Sequence, residues 1–483
     1  METKNAWSGF TAQELQDLGM VAGGYKSFIS ANKTERECVE SAIAQAQTQG
    51  YVNLFDVVAE GTPLAPGMKL YASNRGKELV LFHVGTAPVV AGLNILGAHI
   101  DSPRLDLKQN PLEEKDGLAY LDTHYYGGIK AYQWLAMPLA LHGVVVKKDG
   151  TKIYLSVGEG ENDPVMVITD LLPHLAAEQM KKTASELIDK ELLDVLIGNR
   201  PIYFAGDEEA AEATAEKNGE AADADAAASD KDAVKKAILS LLKDCYGMEE
   251  EDFLSAEIEV VPAGPARDCG LDRSMIIGYG QDDRVCAYTS LLAQLACENP
   301  VRTACCLLTD KEEIGSTGAT GAESVFFENV VAELLALAGE ESPLAPRRCL
   351  TNSRMLSSDV SAAFDPSFPS VFEKKNSANL GHGICFNKYT GARGKSGTSD
   401  ADAEYMALIR HCMDTAGVPY QTCELGKVDA GGGGTIAMFF ARMGMNVIDA
   451  GVAVLNMHAP FEVVSKADVY AAYRAYQAFL ELA

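Results

Sequence analysis

The sequence predicts an α/β fold whose main domain is interrupted by a β-rich insert, and three observations predict it. The chain has 483 residues, too many for one ordinary core. Helix-period and strand-like runs alternate near the start and again after Met275, the pattern of α/β layering. Between about Leu107 and Pro265 the chain changes to short strand-like runs such as GVVVKK and KIYLSVG, each followed by a turn containing Gly, Asp or Asn. The expected division is 1–106 and 266–483 for the α/β domain, with 107–265 as the insert.

Composition narrows the partners. Hydrophobic residues make up 47% and charged residues 23%, the balance of a soluble globular protein. A net charge of −27 argues against nucleic acid or an anionic membrane as the general partner. The opening METKNAWSGF has neither a basic nor an apolar leader region, and no apolar run reaches the roughly 20 residues of a membrane span. The eleven cysteines are scattered without a C-x-x-C pair, as expected of reduced thiols in a cytoplasm.

In chain order, residues 11–49 read as two helices with a break at Ala22-Gly23-Gly24, the second capped by Asn32 or Thr34. Strands follow over 70–96, the last ending in Gly97-Ala-His99-Ile-Asp101. Within the insert, 207–230 is nearly all acidic residues, Ala and Gly, with too little apolar surface to offset the entropy of ordering, so a mobile segment is expected there. Residues 232–245 form an amphipathic helix pattern through Val234, Ile238, Leu241 and Leu242. After Met275 come a short strand, the turn Gly278-Tyr-Gly-Gln-Asp-Asp-Arg284, and a helix over 285–297. Residues 322–338 read as another helix, and 381–398 as a Gly-rich loop presenting Lys388, Arg393 and Lys395. The run Asp429-Ala-Gly-Gly-Gly-Gly-Thr435 lets backbone approach a ligand closely, but it lacks the spacing and lysine of a phosphate-binding P-loop. A helix over 465–482 closes the chain.

The chemistry concentrates at the ends of strand-like runs. Glu312 and Glu313 follow the run 301–308 and precede a Gly-containing turn, which places both at a strand's carboxyl end. Side chains there diverge, so one can hold a metal while the other moves a proton. In His99-x-Asp101 the imidazole can bind a metal and the carboxylate can fix its tautomer. Asp282 or Asp283 can cap the following helix or be shared between two cations. Asp359 and His458 end two further runs. Two imidazoles and three carboxylates suit a pair of borderline divalent ions such as zinc, one carboxylate bridging.

The ordered motifs GAHIDSPRLDLK, GYGQDDRV, TDKEEIGS, SSDVSAAFDP and NMHAPFE resemble the M18 metallo-aminopeptidases, the aspartyl aminopeptidase group. The resemblance implies a mixed-sheet zinc-peptidase domain with helices on both faces, and an inserted domain that mediates dimerisation. It implies two Zn2+ per subunit, replaceable by Mn2+ or Co2+: His99 and Asp359 on one, Glu313 and His458 on the other, Asp282 on both. Glu312 matches the general base, and Asp101 the residue that orients His99. His174, in Leu-Pro-His-Leu, resembles the histidine that reaches a neighbouring subunit's active site. Lys388, Gly432 and Gly433 are the expected substrate contacts, although 383–402 departs from the eukaryotic members' acid-reading pattern. Peptides are the expected substrates, with a preference for acidic N-terminal residues, and dimers the expected unit of a tetrahedral homododecamer. A related dizinc hydrolase of acylated amino acids, and an assembly protein on the same fold, are the alternatives.

Overall fold

The computed structural model describes residues 4–202 and 231–483, so the acidic segment 207–230 lies outside the described residues. The chain divides into two compact units, Met1–Ser102 with Pro265–Ala483, and Pro103–Gly264.

The larger unit is built on a nine-stranded mixed sheet. Its strands lie in the spatial order Val52–Asn53, Lys69–Asn74, Glu78–His83, Ala304–Thr309, Asn94–His99, Arg354–Ser357, Asn446–Gly451, Ile384–Asn387 and Tyr420–Cys423. The four from Ala304–Thr309 to Asn446–Gly451 are mutually parallel, whereas their outer neighbours Glu78–His83 and Ile384–Asn387 run antiparallel to them. Alternation along the central strands feeds two hydrophobic layers. Cys306 and Leu308 join the layer of Tyr25, Val285 and Phe479, while Cys305 and Leu307 join that of Phe327, Leu334 and Phe440. Helices Ala12–Ala31, Gln281–Ala296 and Lys466–Leu480 therefore cover one face, and Phe326–Leu337, Ala345–Asn352 and Ala437–Ala441 the other. A five-stranded sheet completes this unit.

Two local expectations need correction. The first helix does not break at Gly23-Gly24 but runs unbroken over Ala12–Ala31. Two helical glycines cost about 1 kcal/mol each, but the helix buries Leu18, Val21, Tyr25, Phe28 and Ile29, and a Cβ on Gly24 would lie 2.3 Å from the Tyr288 hydroxyl. Gly24 serves close packing, and the chain turns instead before Thr34, which closes a capping box with Glu37. The second correction concerns 381–398: Ile384–Asn387 within it is a buried strand of the large sheet, and only the residues on either side of it are loop.

The second unit holds a six-stranded antiparallel sheet in the order Lys152–Val157, Leu139–Val146, Ala256–Pro262, Arg104–Lys115, Leu118–Tyr126, Val195–Gly198. Helix Ala233–Tyr246 buries Val234 and Ala237, and Ile238 lies against Gly198. No helix among the described residues is long and apolar enough to cross a membrane.

Candidate metal centre

The parallel strands of the large sheet deliver chemistry at their carboxyl ends, as open α/β sheets do. His99 is the last residue of its strand and pairs in register with Thr309, the last of the next. Beyond Thr309 a left-handed Lys311 (φ 69°) turns the chain into the short 3-10 turn Glu312–Ile314. Asp359 follows the strand Arg354–Ser357 as the chain crosses to the smaller sheet. Gly451 is obligatory beside it, since a Cβ there would lie 1.9 Å from the Asp359 carbonyl oxygen. His458 sits in the left-handed turn (φ 64°) between strands Ala453–Leu455 and Glu462–Ser465.

These ends converge. Asp282 points one carboxylate oxygen at each imidazole, Oδ1 3.2 Å from His99 Nε2 and Oδ2 3.3 Å from His458 Nε2. Glu313 Oε2 lies 3.6 Å from His458 Nε2, and Glu312 Oε2 4.0 Å from His99 Nε2. Asp101 Oδ1 stands 3.3 Å from His99 Nδ1, and the two oxygens of Asp101 accept the backbone N–H groups of Glu312 and Glu313, each at 3.1 Å. Ligand-type atoms of His99, Asp282 and Glu313 lie within 4.8 Å of one another, as do those of His99, Asp283 and Asp359.

Electrostatics follow from burial and crowding. Burial alone would push the His99 imidazolium down, but Asp101 and Asp282 hold it well above the ordinary histidine range. His458 is raised to about 10, again against burial, by Asp282 and Glu313. Burial opposes ionisation of Asp282, yet His458 and His99 keep it below the usual carboxylate range. Burial pushes Glu312 up to about 7, and raises Glu313 and Asp359 well above their ordinary values. So many carboxylates around two imidazoles leave a surplus of negative charge. Glu313 Oε1 and Asp283 Oδ1 are, in addition, buried with no hydrogen-bond partner among the described residues. Imidazole and carboxylate donors with unspent oxygen atoms suit divalent zinc.

A third grouping, Glu113, Asp122 and Asp194, belongs to the second unit, where Lys115 already bridges Glu113 and Asp194.

A family model described as aminopeptidase I zinc metalloprotease (M18) matches residues 28–480. The chain belongs to the M18 family of aminopeptidases. It is a zinc metalloprotease by family and an exopeptidase by class. Its M18 relatives include the "Probable M18 family aminopeptidase 1" of Clostridium acetobutylicum, 54% identical over 479 residues, with 99% of this chain and 98% of that one covered. The crystal structure of an M18 aminopeptidase from Thermotoga maritima matches with a TM-score of 0.89 at 43% identity, covering 100% and 99% of the two chains. Aminopeptidase I from Clostridium acetobutylicum matches at 0.88 and 52%, covering 99% of each.

Within this M18 chain, the residues singled out from sequence fall in different places. His99, Asp101, Asp282, Glu312, Glu313 and His458 are neighbours, and Asp359 joins through His99 and Asp283. Lys388 is ion-paired to Asp400, which also holds Lys395 at 3.0 Å. Gly432 has φ +117°, with its missing Cβ facing the Thr390 and Gly391 carbonyls, and Gly433 faces open space. His174 is exposed on the second unit. Asp283, which the sequence reading left open beside Asp282, accepts the His99 backbone N–H through Oδ2 at 3.3 Å. One contributor escaped that reading: Glu462 accepts the N–H groups of His458 and Asp282 at 2.8 and 3.0 Å. It stands inside the quoted NMHAPFE motif, four residues after His458, which was the available signal.

Proposed function

We propose that this aminopeptidase removes N-terminal residues from peptides at a centre of two divalent ions. The supporting observation is Asp282, whose two oxygens each face a different imidazole, as a carboxylate shared between two cations must. In this reading His99 and Asp359 hold one ion, Glu313 and His458 the other, and Asp282 both, with Zn2+ resident and Mn2+ or Co2+ able to substitute. When bound, the pair supplies Lewis acidity to a carbonyl oxygen and lowers the pKa of water. Glu312 takes the proton of the attacking water and returns it to the leaving amine, for which its raised affinity for a proton suits it. Asp101 acts as an orienting residue: it fixes the His99 ring and, through two backbone N–H groups, the direction of the Glu312–Glu313 turn.

The same reading assigns His174 to a neighbouring subunit's site, Lys388, Gly432 and Gly433 to substrate contact, an acidic preference to the N-terminal residue, and the cytoplasm as location. It takes dimers and a tetrahedral dodecamer as the assembly. A yeast M18 neighbour of the same fold (20% identity, TM-score 0.72) has been solved as a dodecamer. The second unit exposes Leu171, Leu172, Leu175 and Met180, apolar surface that a partner subunit would cover.

The test is metal analysis of the purified protein combined with turnover of Asp-, Glu-, Leu- and Lys-terminated peptides under zinc, manganese and cobalt. Two ions per subunit and release of single N-terminal residues are expected. One ion per subunit, or cleavage only of blocked peptides, would remove the reading.

A further inference from the structure

The turn that carries Asp282 is gripped by side chains that are not themselves candidate ligands. Helix Gln281–Ala296 opens irregularly, because Asp282 (φ −80°, ψ 106°) and Asp283 (φ −116°, ψ 22°) leave helical geometry inside it. Backbone groups at such a place need partners from elsewhere in the fold. Glu462 accepts the Asp282 N–H, as described above. On the other side, the Asp282 carbonyl oxygen accepts the Ser102 hydroxyl at 2.8 Å, which ties the turn to the segment bearing His99 and Asp101. Ahead of Asp282, the carbonyl oxygens of Gly280 and Tyr279 accept Nε and Nη2 of Arg284 at 2.9 and 3.2 Å. Nη1 of the same guanidinium donates to the Asn32 carbonyl at 2.9 Å, just past helix Ala12–Ala31.

Gly280 records how tightly these groups meet. It is left-handed (φ 65°), and a Cβ on it would lie 1.6 Å from Arg284 Nη2 and 2.7 Å from Ser102 Oγ. Arg284 is wholly buried, and among the described residues no carboxylate lies within ion-pair distance of it. Burying a guanidinium with no anion beside it is costly, so core packing gives no reason for an arginine here. Its planar fork gives one: donors in fixed directions hold three carbonyl oxygens, two of them on the residues that lead into Asp282. A lysine, a point donor on a flexible stem, cannot span the three. Bonds to zinc of about 2.0–2.2 Å leave little room for drift in a carboxylate that serves two ions at once.

We infer that Ser102 and Arg284 are positioning residues for Asp282, fixing the backbone after and before it so that its two oxygens stay aimed at both ions. This rests on the two-ion reading above. Neither side chain is a ligand or a proton carrier in that reading, so their effect is on how tightly metal is held rather than on the chemical step.

The experiment loads the full-length protein with zinc and withdraws it with graded amounts of a chromophoric chelator, well below the unfolding temperature. Wild type, Ser102→Ala, Arg284→Lys and Leu334→Ala are compared. Leu334 packs in the hydrophobic layer on the opposite face of the large sheet, so its truncation lowers Tm without touching the turn. Ser102→Ala should weaken both zinc-binding steps by about fivefold, the worth of one neutral hydrogen bond. Arg284→Lys should weaken both by about tenfold or more, since the fork is lost. In each, kcat should return toward the wild-type value at saturating zinc, whereas Leu334→Ala should lose Tm and keep wild-type zinc affinity. Should Arg284→Lys fail to fold, Ser102→Ala decides alone. Wild-type zinc affinity in a folded variant, weakening confined to one step, or an equal loss in Leu334→Ala overturns the assignment and leaves the two-ion reading standing. One zinc per subunit in the wild type overturns both.

Discussion

Glu462 Oε1 accepts the backbone N–H of His458 at 2.8 Å, while its Oε2 accepts that of Asp282 at 3.0 Å. One buried carboxylate thereby sets the approach of an imidazole and of the carboxylate facing it. Glutamine offers one acceptor and turns an NH2 group toward a backbone donor. Glu462→Gln should therefore cost about 1–3 kcal/mol of stability and lower metal content. Thermal unfolding with and without zinc, alongside metal analysis, measures both, and wild-type values in each would sink this role.

Glu312→Gln keeps the size of the side chain and removes its ability to accept and return a proton. Metal content should stay near that of the wild type while kcat drops by about two orders of magnitude or more. Normal turnover would take Glu312 out of the mechanism.

His458→Ala deletes an imidazole that faces both Asp282 and Glu313. Lower metal content is expected, together with a smaller zinc-induced rise in Tm. Full occupancy in this variant counts against His458 as a ligand.

Glu78 is buried in the large sheet, and burial raises it from 4.5 to about 8, with Asn74 opposing and Asp310 assisting. A carboxyl that binds its proton more tightly when folded makes stability fall as pH rises from about 4.5 to about 8. Glu78→Gln retains an acceptor for the Asn74 amide and removes that titration. Denaturant titrations should show a flatter pH profile and a gain on the order of 1 kcal/mol or more at pH 8. A profile parallel to the wild type's would refute it.

Gly23 and Gly24 are neighbours in one helix with different surroundings, open space for the first and the Tyr288 hydroxyl for the second. Gly23→Ala should stabilise by up to about 1 kcal/mol, and Gly24→Ala should destabilise by about 1–3 kcal/mol. Equal effects in chemical denaturation would refute the packing account of Gly24.

The large sheet and the gathering of His, Asp and Glu side chains at strand ends were legible because both rest on local patterns: apolar runs ending in His, Asp or Glu. What escaped depends on neighbours remote in sequence. Gly23-Gly24 reads as a helix break from propensity alone, and only the approach of Tyr288 explains why glycine stands inside an intact helix. The strand Ile384–Asn387 is four residues long and flanked by glycines, so its periodicity was too short to register. Glu462 was hidden for another reason: it acts through two backbone N–H groups, which no side-chain pattern displays.

The residues gathered around Asp282 are drawn from positions as distant as His99 and His458. A translating ribosome must therefore release the turn bearing His458 before the cluster can close. In the proposed reading, a polypeptide that stops short of this turn has every other group of the cluster and still lacks the imidazole that faces Asp282 and Glu313.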